Sequence, residues 1–516
     1  MRKQRVVQVA VLMSAFGLLA AACGSSSKKA DTATTVKAAA TTAAATTAAP
    51  ATTAAGSPTT AATATTVASA AGQKNADKIK AIEDSAKTKP LVATGDPVVI
   101  GFQNPEGDPA GSFPEYTLAT AAAVKYINTE LGGIGADIKA GKPGRPIKLE
   151  VCKMAIKPDD STRCANELAA KKPLAVISSL NFFGNHFAIY AAAKIPVIVG
   201  TPITALDFTS PGVAATGGGG GCLGVHTGLI EYITKDLGKK KIAVPWANTP
   251  PGVFCYNDLE KKPLEVLAGK HIDGTDIKAD GNTAKGSIPD LTQIGVPIAP
   301  GQADVTPQAT QVLDFKPDGI VFSGQGADCW TLVSSLAKLG WKATTTPLVL
   351  SGACLDLAKM KELGDVAKGI YFVGSSSLLN PESLTGQLKE EALTYSAKMK
   401  QYAEGGSDTA GKGFATAGFT TMMQVWEVAT LTANGDPTKI DGASFIAAMA
   451  ATNGDHQWGA TGLDCASGAK NAPYIAVCSP TVTASQWDGT KLVTSRKDYS
   501  GLYLIKGTDL DFGAKK

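Results

Sequence analysis

From Val98 onward, short apolar runs alternate with stretches whose apolar positions recur at helical spacing. Val98-Val99-Ile100-Gly101-Phe102 is the first run and predicts a buried strand. Ser112, followed three residues later by Glu115, has the form of a capping box, and Leu118, Ala119, Ala122, Ala123, Tyr126, Ile127 and Leu131 then fall on one helical face until Gly132-Gly133 stops it. The same alternation predicts strands at Ile147 to Cys152, Leu174 to Ile177 and Pro196 to Val199, with helices over Arg163 to Ala170 and Phe187 to Ala193 between them. It resumes after Gly217 to Gly221 with a helix from His226 to Leu237, and continues through strand candidates at Lys241, Gly319, Leu348 and Ile370. Helices are expected over Glu382 to Glu404, Phe414 to Asn434 and Ser444 to Ala451, and short strands at Tyr474 to Val477 and Leu502 to Ile505. Such a rhythm builds βαβ units, hence parallel sheets covered on both faces.

The N-terminal region departs from this pattern. Arg2, Lys3 and Arg5 precede an apolar run from Val6 to Ala22, which reads as a secretory signal too short to span a bilayer comfortably. Between Gly24 and Ala71 the chain is almost wholly Ala, Thr and Ser, so residues 23–89 are expected to be a disordered tether. The signal ends in Leu19-Ala20-Ala21-Ala22-Cys23-Gly24, which resembles the lipobox of bacterial lipoproteins and implies that Cys23 is lipidated. The alternative is an ordinary cleavage site beside an unmodified cysteine.

Composition narrows the function. Among 516 residues, 49 Lys and Arg stand against 45 Asp and Glu, a net charge of +4 that gives no nucleic-acid footprint. The chain beyond Pro90 is long enough for two or three domains at about 150 residues each. Of nine cysteines, eight remain once Cys23 is set aside. An even set in an exported chain reads as disulfides, with 105 formal connectivities for eight, and the short gaps favour Cys152 with Cys164, Cys222 with Cys255, Cys329 with Cys354, and Cys465 with Cys478. Zinc is the weaker reading, because the chain has no C-x-x-C and its four histidines are mutually remote. Gly217 to Gly221 is followed by Cys222 rather than Lys-Ser/Thr, so it is no phosphate loop. Neither a G-x-S-x-G elbow nor a metal motif is present; no enzyme, metal or cofactor is expected.

The order and spacing of several segments resemble one family. Val98-Val99-Ile100-Gly101, Ala122 to Asn128, Gly132-Gly133-Ile134, Ile147 to Val151, Ala192 to Ile198, Pro317 to Val321 and Trp487-Asp488-Gly489 look like the type I periplasmic-binding fold, and most like the substrate-binding lipoproteins of branched-chain amino acid (leucine/isoleucine/valine) ABC transporters. The resemblance implies an α/β protein of two lobes, each a mostly parallel sheet flanked by helices, joined by three crossover strands. The divisions expected are a signal at 1–22, the tether at 23–89, a first lobe from 90–225 and 376–480, a second lobe from 226–375, and C-terminal strands and tail at 481–516. It further implies a monomer at the outer face of the cell membrane, held there only by lipid, that passes a small solute such as an amino acid, amide or carboxylate to ABC permease subunits. A ligand-sensing protein is the alternative, with a hydrolase behind it.

Open parallel sheets bind ligands beyond the carboxyl ends of their strands. That rule selects Gln103, Asn104, Ser179, Asn181, Phe182 and Thr204 in the first lobe, and Asn248 and Gln325 in the second. Asn181 and Thr204 match best the groups that hold an amino acid's carboxylate and ammonium in the family, and Glu106 or Asp328 is left as the ammonium's partner. These residue types also form turns and caps, and Phe182 also reads as a residue closing a core.

Overall fold

A computed structural model describes residues 70–505, apart from 218–220, 280–281, 284–285, 454, 469–474 and 480. The signal, Cys23 and most of the tether lie outside the described residues. The last part of the expected tether is a helix instead: α1, Ala70–Thr88. Its Ile79, Ile82 and Ala86 share one face and are buried in the first lobe's core, and Glu83 accepts a 2.6 Å hydrogen bond from Trp458 Nε1. The low-complexity segment therefore ends where apolar spacing begins, some twenty residues before Pro90.

The first sheet contains β1 (Val98–Pro105), β2 (Ile147–Met154), β3 (Ala175–Ser178), β4 (Val197–Val199) and β5 (Val213–Ala215). All pair in parallel in the order β2-β1-β3-β4-β5. Because helices cover both faces, β1 and β3 are buried nearly throughout rather than alternately. α2 (Pro114–Thr129) packs against the long helix Gly413–Ala433, and α3 (Pro158–Ala170) packs against α4 (His186–Ala192). The expected Ser112–Glu115 capping box does not form. The helix instead starts at Pro114, whose fixed φ suits a first turn, while Ser112 Oγ accepts from the Gly107 amide.

The second sheet runs in spatial order Leu492–Tyr499, Val482–Trp487, Tyr371–Gly374, Leu348–Ser351, Gly319–Phe322, β6 (Lys241–Ala247) and Thr292–Ile298. Its first two strands are an antiparallel hairpin added at the edge. The strand expected at Leu502 to Ile505 is a 3-10 turn over Leu502–Leu504; of the one expected at Tyr474 to Val477, Tyr474 lies outside the described residues and Val477 makes an isolated parallel bridge to Ala215. Strand formation falls between them because Asp488-Gly489 is a hairpin turn: Asp488 Oδ1 accepts from the Thr490 and Lys491 amides, and Gly489 has φ +105°. The chain passes between the sheets after Ala215, after Gly374 and after Cys478. These three crossings join two lobes of the type I periplasmic-binding fold.

Cys152 is bonded to Cys164, Cys222 to Cys255, Cys329 to Cys354, and Cys465 to Cys478. Non-reducing peptide mapping of the exported protein is expected to return these four pairs and no bridge between distant ones; any exchanged pair would overturn the assignment.

Candidate functional site

Between the sheets lies a cavity of about 100 Å3. Its walls come from the places the strand-end rule selects, and from two it cannot select. Gly200-Thr201 follow β4, Gly324-Gln325 follow Gly319–Phe322, Ser351-Gly352-Ala353 end Leu348–Ser351, and Gly374-Ser375 end Tyr371–Gly374. The remaining walls are the first turn of α6 (Gly221–Glu231) and the first turn of the long helix, with Gly413, Phe414 and Thr416. Both lobes and the crossings between them therefore contribute.

Glycine is required where backbones meet here. A Cβ on Gly413 would lie 2.0 Å from the Gly352 carbonyl oxygen, and one on Gly200 would lie 1.9 Å from Tyr116 Oη. The polar lining is hydroxyl, amide and backbone, with His226 its titratable side chain among the described lining residues. His226 Nδ1 is 2.7 Å from Glu260 Oε1 and 3.2 Å from Ser323 Oγ. Burial raises the Glu260 carboxyl above its usual range against the pull of His226.

Two further spaces adjoin this cavity. A chamber of about 70 Å3 shares Gly374, Ser375, Thr416 and Ala417 with it and extends along Thr216, Thr421, Gln424 and Thr481. An outer groove of about 590 Å3 is bounded by Ser112 and Glu115 of the first lobe and by Lys338, Asp356 and Lys359 of the second. Burial raises the Glu115 carboxyl, with Lys412 opposing.

Of the residues selected from sequence, Gln325 lines the central cavity. Gln103 is fully buried away from the cavity lining, donating to Ser178 Oγ and accepting from Tyr190. Asn104 and Ser179 bond to each other at 2.6 Å, and Asn104 also donates to the Phe113 carbonyl, so they tie strand ends together. Asn181 forms an Asx turn, accepting from the Phe183 and Gly184 amides and donating to Ser161. Thr204 caps α5 (Ala205–Thr209) in a capping box with Asp207. Phe182 lies in the first lobe's core, and Asn248 is exposed beyond β6 with its amide donating to the Ile298 carbonyl. Asn181 and Thr204 thus do local structural work, and neither they nor Asn248 line the cavity. Glu106 pairs with Lys153, and Asp328 accepts from the Gly301 amide; neither reaches the cavity wall. Thr416 and Phe414 carried no sequence signal, because a helix some two hundred residues downstream of β4 delivers them.

Known structures share this architecture. The Streptococcus pneumoniae branched-chain amino acid transporter substrate-binding protein LivJ, solved with isoleucine, is 14% identical with TM-score 0.56, over 78% of this chain and 100% of its own. A Rhodopseudomonas palustris ABC transporter solute-binding protein, solved with p-hydroxybenzoic acid, is 16% identical with TM-score 0.57, over 79% and 98%. The leucine-binding protein LivK of Thermotoga maritima is 12% identical with TM-score 0.54, over 77% and 97%. No curated protein matches the sequence. Residues 281–478, which span parts of both lobes, match the model of the family described as periplasmic binding protein, and the chain as a whole has the fold of the solved type I members.

Proposed function

We propose that this protein is an extracytoplasmic solute-binding protein of an ABC importer, which holds a small polar solute reversibly between its lobes and releases it to permease subunits. The observation that carries this reading is the cavity itself, walled by strand ends and helix starts of both lobes. A solute that contacts both lobes has different affinities for open and closed arrangements, and that difference is what a permease can read. Thr201, Gln325, Ser351 and Thr416 are the side chains we assign to the solute. The lining supports an uncharged or carboxylate-bearing solute; a standard branched-chain amino acid lacks a carboxylate partner for its ammonium among the described lining residues. One of the similar structures was solved with isoleucine and another with p-hydroxybenzoic acid, so the fold accommodates both chemistries.

The test is a thermal-shift screen against amino acids, amides, short peptides and small carboxylates, followed by calorimetric titration. The hit is expected to bind Thr201→Ala and Thr416→Ala variants more weakly by about 1–3 kcal/mol each, since a desolvated ligand group loses its partner. The Asn181→Ala and Thr204→Ala variants should instead lose folding stability and keep affinity, as turn and cap residues do. Unchanged affinity in Thr201→Ala and Thr416→Ala would refute the cavity as the solute site.

Membrane attachment through Cys23 completes the proposal, with the Ala/Thr segment as its tether and no described helix long and apolar enough to cross a bilayer. A Cys23→Ser variant is expected to leave the membrane fraction or to accumulate unprocessed. Normal processing with full membrane retention would refute lipid anchoring.

A further inference from the structure

Cys222 and His226 are four residues apart on α6 and so lie on one helical face. α7 (Pro250–Tyr256) brings Cys255 against them, and the sulfurs and a ring nitrogen of the three residues lie within 4.8 Å of one another. All three are more than nine-tenths buried. His226 bonds through Nδ1 to Glu260 and Ser323, while its Nε2 has no hydrogen-bond partner among the described residues. Cys222 and His226 also form part of the solute cavity's wall. The disulfide between Cys222 and Cys255 thus lies beside an imidazole whose second nitrogen is unused.

We propose that this cluster is a zinc site that the disulfide masks. Reduction by a dithiol delivers two electrons and two protons to the Cys222–Cys255 bond, yielding two thiols while the dithiol becomes a disulfide. A zinc ion then displaces both thiol protons to solvent and is held by the two thiolates and His226 Nε2. Tetrahedral zinc with sulfur and imidazole ligands spaces its donor atoms about 3.5–3.8 Å apart, so the two sulfurs part once their bond is cut, within a group whose donor atoms already lie within 4.8 Å of one another. Glu260 accepts the Nδ1 proton, which fixes the tautomer presenting Nε2, the usual support for a zinc-bound histidine. The fourth position falls to water or to a group of the solute. Motif scanning does not find such a site, because two ligands lie on one helix and the third comes from another. A chain exported with its thiols reduced meets either an oxidant or a metal at this point, and the outcome sets whether α7 is stapled covalently or through an ion.

The test uses the exported chain carrying Cys23→Ser, reduced with a phosphine and freed of metal. Cobalt(II) titration is expected to show one equivalent bound, with thiolate charge-transfer absorption, displaced by zinc(II). Cys222→Ser and Cys255→Ser should each abolish the band. Glu260→Gln should weaken binding about 10–100-fold, as loss of an outer-shell partner does, and replacing Cys152 with Cys164 by serine should leave it intact. Far-UV circular dichroism follows the fold; a reduced chain that loses structure and regains it with zinc supports the site. Cobalt bound no more tightly by the reduced chain than by Cys222→Ser, or a band that survives both cysteine variants, would overturn the proposal. So would a reduced chain that zinc does not refold.

Discussion

Replacing His456 by alanine is expected to destabilise the protein by about 3–5 kcal/mol, the cost of stripping one partner from a buried ion pair. His456 lies between two glutamates in the first lobe, with Nε2 2.7 Å from Glu391 and Nδ1 3.1 Å from Glu427, and both carboxylates are buried. Their second oxygens accept from the amides of Gly459 and Trp458, so neither can turn away. Burial opposes the charged imidazole, but hydrogen bonds to the two carboxylates outweigh it and lift its pKa from 6.5 to about 11. Glu83 of α1 completes the cluster; burial, reinforced by the charge of Glu391, lifts its carboxyl from 4.5 to about 8.

The sign of the pH dependence follows. A group whose pKa is raised on folding stabilises fully below its unfolded value and loses that contribution as pH rises through the folded one. For Glu83 the loss runs from pH 4.5 to about 8, and for His456 from 6.5 to about 11. Stability should therefore fall as pH is raised from 6.5 to 9. Below 6.5 His186 opposes this trend, because burial alone lowers its pKa to about 3. Denaturant unfolding across pH 6.5 to 9 checks the slope, and Glu83→Gln, which keeps an acceptor for Trp458, should flatten it. Stability that is flat or rising over that range in the unmodified protein would refute the account, as would a His456→Ala cost below about 1 kcal/mol.

Gly352→Leu is expected to abolish solute binding, with affinity reduced at least about 100-fold, while the melting temperature changes little. Gly352 lines the central cavity at the end of its strand, and an added Cβ would stand 3.4 Å from the Gly374 Cα, an ordinary contact. Its φ is outside the left-handed region, so a leucine backbone is tolerated there. A larger side chain then occupies space a solute needs; filling a cavity of about 100 Å3 leaves no room for both. Titration with the screened solute decides it. Unaltered affinity would place the solute elsewhere, with the outer groove of about 590 Å3 the next space to probe.

How far the residues themselves spoke can be followed element by element. Val98 to Phe102, Gly319 to Phe322 and Leu348 to Leu350 were legible as strands because buried parallel strands are continuous apolar runs, and Ile147 to Cys152, at the sheet's edge, by its alternation of apolar and polar residues. Phe414 to Asn434 was legible as a helix by its length and spacing. The disulfide-bonded neighbours follow the short gaps in the chain. Thr292–Ile298 and Val482–Trp487 were not legible: their polar residues obscure the run, and sheet pairing makes them strands, the first parallel to β6 at the sheet's edge and the second antiparallel between Tyr371–Gly374 and Leu492–Tyr499. α1 was hidden by the low-complexity segment before it, and only docking on the lobe gives Ile79, Ile82 and Ala86 a surface to bury.

The site divides in the same way. Sequence alone determined an α/β chain with ligand groups at strand ends, because the alternation of runs dictates βαβ topology and that topology dictates where a crevice opens. Only the tertiary structure decided which strand-end residues face the crevice. Asn181 and Thr204 have the same chemistry as Thr201 and Ser351, yet the first two spend their hydrogen bonds on a turn and a helix cap. The last two lie on the wall because β4 and Leu348–Ser351 end opposite each other across the crossings. Thr416, His226 and the His456 cluster arise from contacts between segments far apart in the chain, and no local pattern encodes a contact whose partner is set by the packing of two lobes.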